Sequence, residues 1–388
     1  MAVLSHTPEA LSRIDWDFPN AGTRPSSIHS LHWFPGNFIP QIPAALIQAL
    51  SNPRDLVLDP FGGSGTTLIE GVRLGRNTVH SDLLSPAALV AAGKLALLQY
   101  GLDATTHSFL LDALTWESMC QTDEVGKLGE GSSRDLEAWY APDTLAQLRY
   151  VWKLIERLDD PDQRAIVEML FSDVLFSCAA PGEPLTATGK RRRHHWGWVA
   201  DNVLPRALKK HSVVELITDR LRHASKVPRQ IGEGRGCVMR EDARTLSVGS
   251  GSVDLVVTSP PYIGVIDYAR ANRLLYLWQN WPLQTERSEE IGARFKRSRK
   301  LVVGEYLSSM RDCWQELHRV MRVGAYCAVV IGESRRFPGT AAETLRDLEQ
   351  RLSRVWGPVS RSPSRRRVSE RLGRESVEIV CVFQKVDS

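Results

Sequence analysis

The segment Thr258-Ser-Pro-Pro-Tyr262 directly follows an apolar run, Val253–Val257. Two consecutive prolines remove two amide donors and hold the chain extended, so the nearby carbonyls stay free to accept. A tyrosine beside such carbonyls makes a slot that stacks a planar ring and takes hydrogen bonds from its amino group. A second motif, Asp59-Pro-Phe-Gly-Gly-Ser-Gly-Thr-Thr67, lies far upstream. Glycines at a strand-to-helix turn let a ligand approach backbone amides, and a helix N-terminus favours negative groups. No lysine follows the glycines, so this is not a Walker loop, and the spacing is not G-x-G-x-x-G. A carboxylate at Asp59 suits a ligand bearing an ammonium or other donors better than a pyrophosphate. Asp82 stands at the next strand end, where nucleotide-binding α/β folds hydrogen-bond ribose hydroxyls. The alternative for Asp82 is a helix cap, since Pro86 soon opens a helix. Together the two upstream features point to a nucleoside-containing cofactor.

Such motifs need a frame that gathers strand ends. Asp55–Asp59 reads as a buried strand, followed by a helix through Leu68, Ile69, Val72 and Leu74 that stops at Gly75. Thr78–Asp82 is the next strand, and a helix runs from about Pro86 to Gln99. That order opens a doubly wound α/β sheet. From about residue 101 to 230 helical periodicity replaces the strand rhythm, in Leu145, Leu148, Val151, Leu154 and Ile155 and again from Ile166 to Leu175. A flexible loop is expected at 126–133. Strands resume at Gly236–Glu241 and Val253–Thr258, and a helix from about Gly304 to Val320 leads into the strand Ala325–Ile331. The last strand, Val377–Phe383, is expected at the sheet edge or beside it.

Composition narrows the class. With 43% hydrophobic and 24% charged residues the chain is not largely disordered. No stretch approaches the ~20 apolar residues of a membrane span, and the first residues lack a signal-peptide pattern. A cytoplasmic protein without a membrane partner is expected. The six cysteines are scattered singly, against structural zinc and against a disulfide framework. His194 and His195 lack further ligands at metal spacing, so no metal is expected. The net charge of +4 is mild, but its distribution is uneven. Eleven basic residues face three acids between Lys190 and Arg229. A second basic cluster runs from Arg294 to Lys300, after Glu289 and Glu290, and a third from Arg361 to Arg374; the stretch 103–183 is acidic. Each run could be a solvated face; the asymmetry points to a polyanion. Lys190-Arg-Arg-Arg-His-His-Trp-Gly-Trp198 interleaves cations with aromatics, which suits phosphate and base contacts. Lys190, Arg191, Arg192, Arg193, Trp196 and Trp198 are therefore candidate nucleic-acid contacts, with Arg365, Arg366 and Arg367 from the third cluster.

The paired motifs, Asp59–Thr67 and Thr258–Tyr262, resemble those of the amino-group DNA methyltransferases, which methylate cytosine N4 or adenine N6. The likeness covers roughly residues 25–100 and 236–385. His32-Trp-Phe-Pro-Gly-Asn-Phe-Ile-Pro40 resembles the segment that packs on the cofactor's methionine end, and Asp242–Leu246 the acidic position that meets its adenine. Ile266-Asp-Tyr268 with Arg270 and Arg273 resembles the continuation of the S-P-P-Y motif, which adds Arg270 to the nucleic-acid candidates. The resemblance implies an α/β fold: a doubly wound, mostly parallel sheet of the Rossmann-like class I methyltransferase type, with a helical insertion. Residues 1–100 would hold the N-terminal segment and cofactor-binding half, 101–235 the insertion and a target-recognition element, and 236–388 the catalytic half. The implied cofactor is S-adenosylmethionine, held by Phe34, Pro35, Asp59, Phe61, Gly63, Gly65, Thr66, Asp82, Asp242 and Thr258. The implied partner is double-stranded DNA with its target base flipped, and there is room for a cognate restriction endonuclease.

In that reading Ser259, Pro260, Pro261 and Tyr262 are catalytic. Ser259 Oγ and the Pro260 carbonyl would accept the N–H bonds of an exocyclic amino group, and Tyr262 would stack on the extruded base. A leading serine places cytosine N4 first, with adenine N6 as the alternative. The chain has no Pro-Cys dipeptide of the kind used for C5 methylation. The cofactor half precedes the catalytic half, whereas many S-P-P-Y enzymes run the other way. Some RNA amino-group methyltransferases share this order, so an RNA substrate stays open. A non-catalytic nucleic-acid-binding module with the same fold stands behind these, because both motifs are intact.

Overall fold

A computed structural model describes residues 8–18, 27–36, 39–114, 133–179, 199, 204, 208–230, 232–361 and 378–387. Its centre is one seven-stranded sheet. The strands are β1 (Leu56–Asp59), β2 (Asn77–Asp82), β3 (Gly236–Arg240), β4 (Val253–Thr258), β5 (Met321–Gly332), β6 (Ser353–Arg361) and β7 (Glu378–Gln384). They lie in the order β3-β2-β1-β4-β5-β7-β6. The first five are parallel, and β7 runs antiparallel to both β5 and β6.

Both faces of the central strands are covered, which is why they read as continuous apolar runs rather than alternating ones. Val57, Leu255 and Val257 turn to one face, under Ile42, Leu46 and Ile47 of α1 (Gln41–Leu50). Leu58 and Val256 turn to the other. In chain order, α2 (Thr66–Arg73) and α3 (Ser85–Gln99) follow β1 and β2, and their apolar residues form a separate cluster. The helices of the expected insertion are α4 (Ala104–Ala113), α5 (Ser133–Glu137), α6 (Pro142–Glu156), α7 (Pro161–Cys178) and α8 (Val213–Ala224). Asp160 caps α7 by accepting from the amides of Asp162 and Gln163, with Pro161 in the first turn. A Cβ on Gly93 of α3 would sit 2.4 Å from Met169 Cβ, so the two helices cross almost backbone to backbone. Helix α3 is therefore buried on several sides, and the insertion shares its apolar cluster. Three short helices, α9 (Tyr268–Ala271), α10 (Arg273–Gln279) and α11 (Leu283–Glu289), lead to α12 (Val302–Val320) and, after β5, α13 (Thr340–Glu349). Trp314 of α12 is fully buried and donates to Thr344 O of α13 (3.1 Å).

The last strand lies beside the edge; the edge itself is β6, which the sequence reading did not identify. The segment Ser353–Arg361 carries Gly357 and Pro358, and its register with β7 shifts on either side of Trp356. Those interruptions erase the two-residue alternation, and an edge strand is where a proline is tolerated. The stretch 126–133 lies outside the described residues except for Ser133, which begins α5. Among the described residues no helix is long and apolar enough to cross a membrane.

Candidate active site at the strand ends

Strands β2, β1 and β4 are adjacent and parallel, so Asp82, Asp59 and Thr258 finish along one rim. Strand order reverses between β1 and β4, where open α/β sheets form their ligand crevice. Thr258 Oγ1 donates to Asp59 Oδ1 (2.7 Å), a bond that joins residues 199 positions apart. Asp59 Oδ1 also accepts from Phe61 N (3.2 Å), while its Oδ2 is buried without a partner. Burial raises the Asp59 pKa, tempered by the hydrogen bond from Thr258.

The turn after β1 is held from below. Gly63 N donates to Asp82 Oδ2 (2.9 Å), and Leu84 N to Asp82 Oδ1 (2.9 Å). His80 Nε2 donates to Gly63 O (2.9 Å). A Cβ on Gly62 would fall 2.2 Å from the His80 ring, and Gly65 opens α2 at φ +81°. Both positions therefore require glycine, which accounts for the motif. Asp82 also has its pKa raised by burial.

Above this turn lies a cleft with about 860 Å³ of empty space, counting its mouth. Phe34, Pro35, Phe61, Gly63, Thr66, Asp82 and Asp242 line it, as do Ser259 and Pro261 of the proline slot. Both motifs thus wall one cavity. Asp59, Gly65, Thr258, Pro260 and Tyr262 are not among its lining residues. Tyr262 packs over Gly332, where a Cβ would lie 2.4 Å from its Cε2, and its hydroxyl is 3.5 Å from Ser259 Oγ. The Pro261 carbonyl accepts from Tyr306 Oη (3.1 Å), which anchors the slot to α12. Burial pushes the Tyr306 hydroxyl well above its usual range.

The wall from residues 34–36 is fixed by α7. Trp33 N donates to Asp173 Oδ1 (2.9 Å), His32 Nε2 bonds Ser172 Oγ (2.6 Å), and the Trp33 ring stacks on Phe176 at 4.4 Å. Burial lowers the His32 pKa to about 4. On the opposite wall Asp242 is clasped by Arg244, with Nε at 2.9 Å from Oδ1. Burial alone would raise the Asp242 carboxyl, but the bonds and charge of Arg244 outweigh it and lower its pKa.

Sequence reasoning missed Glu289, Glu290 and Ile291 as wall residues. Glu290 accepts from Tyr268 N (2.9 Å) and Ala269 N (2.8 Å), and burial raises its pKa to about 8. The acidic pair was visible in the sequence only as a charge run; nothing local said that it folds back under the S-P-P-Y loop. Glu286 was missed too: it accepts from Ser85 N and Oγ (2.9 and 2.6 Å) and from Tyr276 Oη (2.6 Å), tying α11 to the start of α3. Of the expected nucleic-acid contacts, Arg270 lies beside the cleft. Lys190, Arg191, Arg192, Arg193, Trp196, Trp198, Arg365, Arg366 and Arg367 lie outside the described residues. Among the described residues no group of three His, Cys, Asp or Glu side chains is placed to hold a metal ion.

The strand order, with its antiparallel seventh strand and a glycine turn after β1, is that of the Rossmann-like methyltransferase fold. The DNA methylase family model (N6_N4_Mtase) matches residues 9–92. The Type II methyltransferase M.MjaII of Methanocaldococcus jannaschii is 21% identical over 409 aligned positions, covering 83% of this chain and 76% of that protein. The Type II methyltransferase M1.MboII of Moraxella bovis is 58% identical over 38 residues, 10% of this chain and 15% of its own. Among solved structures, a SAM-dependent methyltransferase of Methanosarcina mazei aligns over 87% of this chain and 95% of that one, with 12% identity and a TM-score of 0.32. That superposition is too loose to add to the strand order.

Proposed function

We propose that this chain transfers a methyl group from S-adenosylmethionine to an exocyclic amino group of a DNA base, with cytosine N4 as the target. The observation that carries the reading is the single cleft walled by both motifs, the glycine turn at Gly62 and Gly63 and the proline slot at Ser259 and Pro261. The cleft fits the cofactor: it offers backbone at the glycine turn, the start of α2, the aromatic Phe34 and Phe61, and carboxylates at Asp82 and Asp242. Phe34, Pro35, Phe61, Gly63 and Thr66 would hold the cofactor, with Asp82 toward ribose hydroxyls and Asp242 toward the adenine. Asp59, Gly65 and Thr258 shape the turn from behind. When bound, S-adenosylmethionine supplies an electrophilic methyl on its sulfonium.

The rest of the chemistry belongs to the slot. An exocyclic amino nitrogen is a poor nucleophile because its lone pair is delocalised into the ring. Ser259 Oγ and the Pro260 carbonyl accept its N–H bonds, draw it toward tetrahedral geometry and aim its lone pair. The Pro261 carbonyl is occupied by Tyr306, so the acceptor role falls to Pro260. Tyr262 stacks on the base once it has left the duplex. The acceleration comes from positioning, and the methylated nitrogen releases its extra proton to water. Residues 101–235 then serve as the target-recognition element between the cofactor half (1–100) and the catalytic half (236–388). A cognate restriction endonuclease and a cytoplasmic site of action accompany this reading. The test is label transfer from cofactor carrying a radioactive methyl to duplex DNA and to RNA of matched sequence. Label in DNA is expected. Label in RNA alone favours the RNA reading, and no label in either from a chain that binds the cofactor favours the non-catalytic module.

A further inference from the structure

The segment that brings Tyr268 to the cleft also brings Asp267 and Arg270 to a second groove, walled by Arg270, Arg294, Arg297 and Arg336, with Phe295 and Asp267. These arginines come from three separate segments: α9, the stretch before α12, and the loop between β5 and α13. Asp267 is the only acid on the wall, and its carboxylate is already taken by Arg287 (Nε to Oδ2, 3.1 Å) and by the amide of Arg270. Arg287 in turn lies 3.9 Å over the Phe295 ring. Asp267 is therefore committed elsewhere and does not neutralise the exposed Arg297 and Arg336. Arg270, one of the lining residues, has its Nε buried without a hydrogen-bond partner, an unmet donor. Such a donor costs stability until a ligand accepts from it. Burial lowers the Arg273 pKa to about 10, helped by the charges of Arg270 and Arg287, a mark of like-charge crowding.

The groove is tied to the slot. Gly264, two residues beyond Tyr262, donates to Gly292 O (2.7 Å), and Arg294 N donates to Ile266 O (2.9 Å). A Cβ on Gly264 would lie 3.5 Å from Arg297 Cβ and 2.8 Å from the Phe337 ring. The loop that leaves the S-P-P-Y motif thus rests on the segment that presents Arg294 and Arg297.

We propose that Arg270, Arg294, Arg297 and Arg336 form a phosphate groove that grips the DNA backbone beside the target nucleotide. The inference rests on the DNA reading above and adds to it where the strand runs. Guanidinium groups converging from separate segments match the geometry of phosphodiester oxygens, and a groove next to the slot receives the phosphates flanking an extruded base. Arg297 and Arg336 are exposed, so their replacement leaves the fold intact.

The test compares the full chain with an Arg297→Ala, Arg336→Ala double variant and an Arg297→Lys, Arg336→Lys double variant. Affinity for a fluorescent duplex is measured between 50 and 200 mM salt, and S-adenosylmethionine affinity by calorimetry. The alanine variant is expected to bind DNA at least tenfold more weakly at the low end. Its slope of log affinity against log salt should shrink by about 0.9 for each lost phosphate contact. Its cofactor affinity should not change, and the lysine variant should keep most of the slope. A wild-type slope in the alanine variant, with wild-type DNA binding intact, overturns this inference alone. A wild-type chain that binds cofactor but no duplex overturns it together with the DNA reading.

Discussion

Asp82 divides its carboxylate between the amides of Gly63 and Leu84, so it holds the glycine turn in shape as well as lining the cleft. Asp82→Ala is expected to weaken S-adenosylmethionine binding by ~1.5–3 kcal/mol, about one charged hydrogen bond. Asp82→Asn, which keeps one acceptor oxygen, should lose less. Calorimetry on both variants checks this, and equal affinities for wild type and the alanine variant would remove Asp82 from the site. Tyr262→Ala should cost ~1–3 kcal/mol of transition-state stabilisation through lost base stacking. Its cofactor affinity should stay unchanged, because Tyr262 is not in the cleft wall; steady-state kinetics paired with cofactor titration separates the two. Residues of this kind were legible because the motifs are local: the spacing of Gly62, Gly63 and Gly65 states the turn, and the paired prolines state the slot. Glu290 and the Asp242–Arg244 clasp were not, since long-range folding decides what a carboxylate faces.

Lys94, in the middle of α3, shows what the meeting of two elements imposes. It is fully buried where α3 crosses α7, its ammonium lacks a hydrogen-bond partner, and burial lowers its pKa to about 7, with Asp173 pulling the other way. The folded pKa lies below the unfolded value of about 10.4. Between about pH 7 and 10 the unfolded chain therefore binds more protons, so this group makes stability rise with pH; below pH 7 the buried charge exerts its full cost. Lys94→Met should raise stability at pH 6 by about 1–3 kcal/mol, and the gain over wild type should shrink toward pH 10. Urea unfolding of both proteins at pH 6, 8 and 9.5 checks it, and a variant less stable than wild type at pH 6 would contradict it. At this scale the parallel strands and the insertion helices were legible from period, because burial on one or both faces writes itself into the apolar pattern. Strand β6 was not, since Gly357, Pro358 and two register shifts break that pattern while its pairing with β7 supplies the order.

At the scale of the molecule, two stretches of chain separated by the insertion close one cleft. Thr258 bonds Asp59, Glu286 holds the first residues of α3, and Asp173 of the insertion fixes the segment that carries Phe34. The order of the halves was readable from the order of the motifs. Their mutual fit was not, because no local pattern encodes contacts across two hundred residues. This arrangement has one purpose in the proposed function, to set an amino nitrogen held by Ser259 and Pro260 against the cofactor's methyl. The most direct measurement is mass spectrometry of nucleosides from duplex DNA incubated with the protein and isotopically labelled S-adenosylmethionine. The expected product is labelled N4-methylcytosine, absent when Ser259→Ala and Tyr262→Ala are combined. Labelled N6-methyladenine alone would overturn the choice of base, and a chain that binds the cofactor yet leaves DNA unlabelled would contradict amino-group methylation of DNA itself.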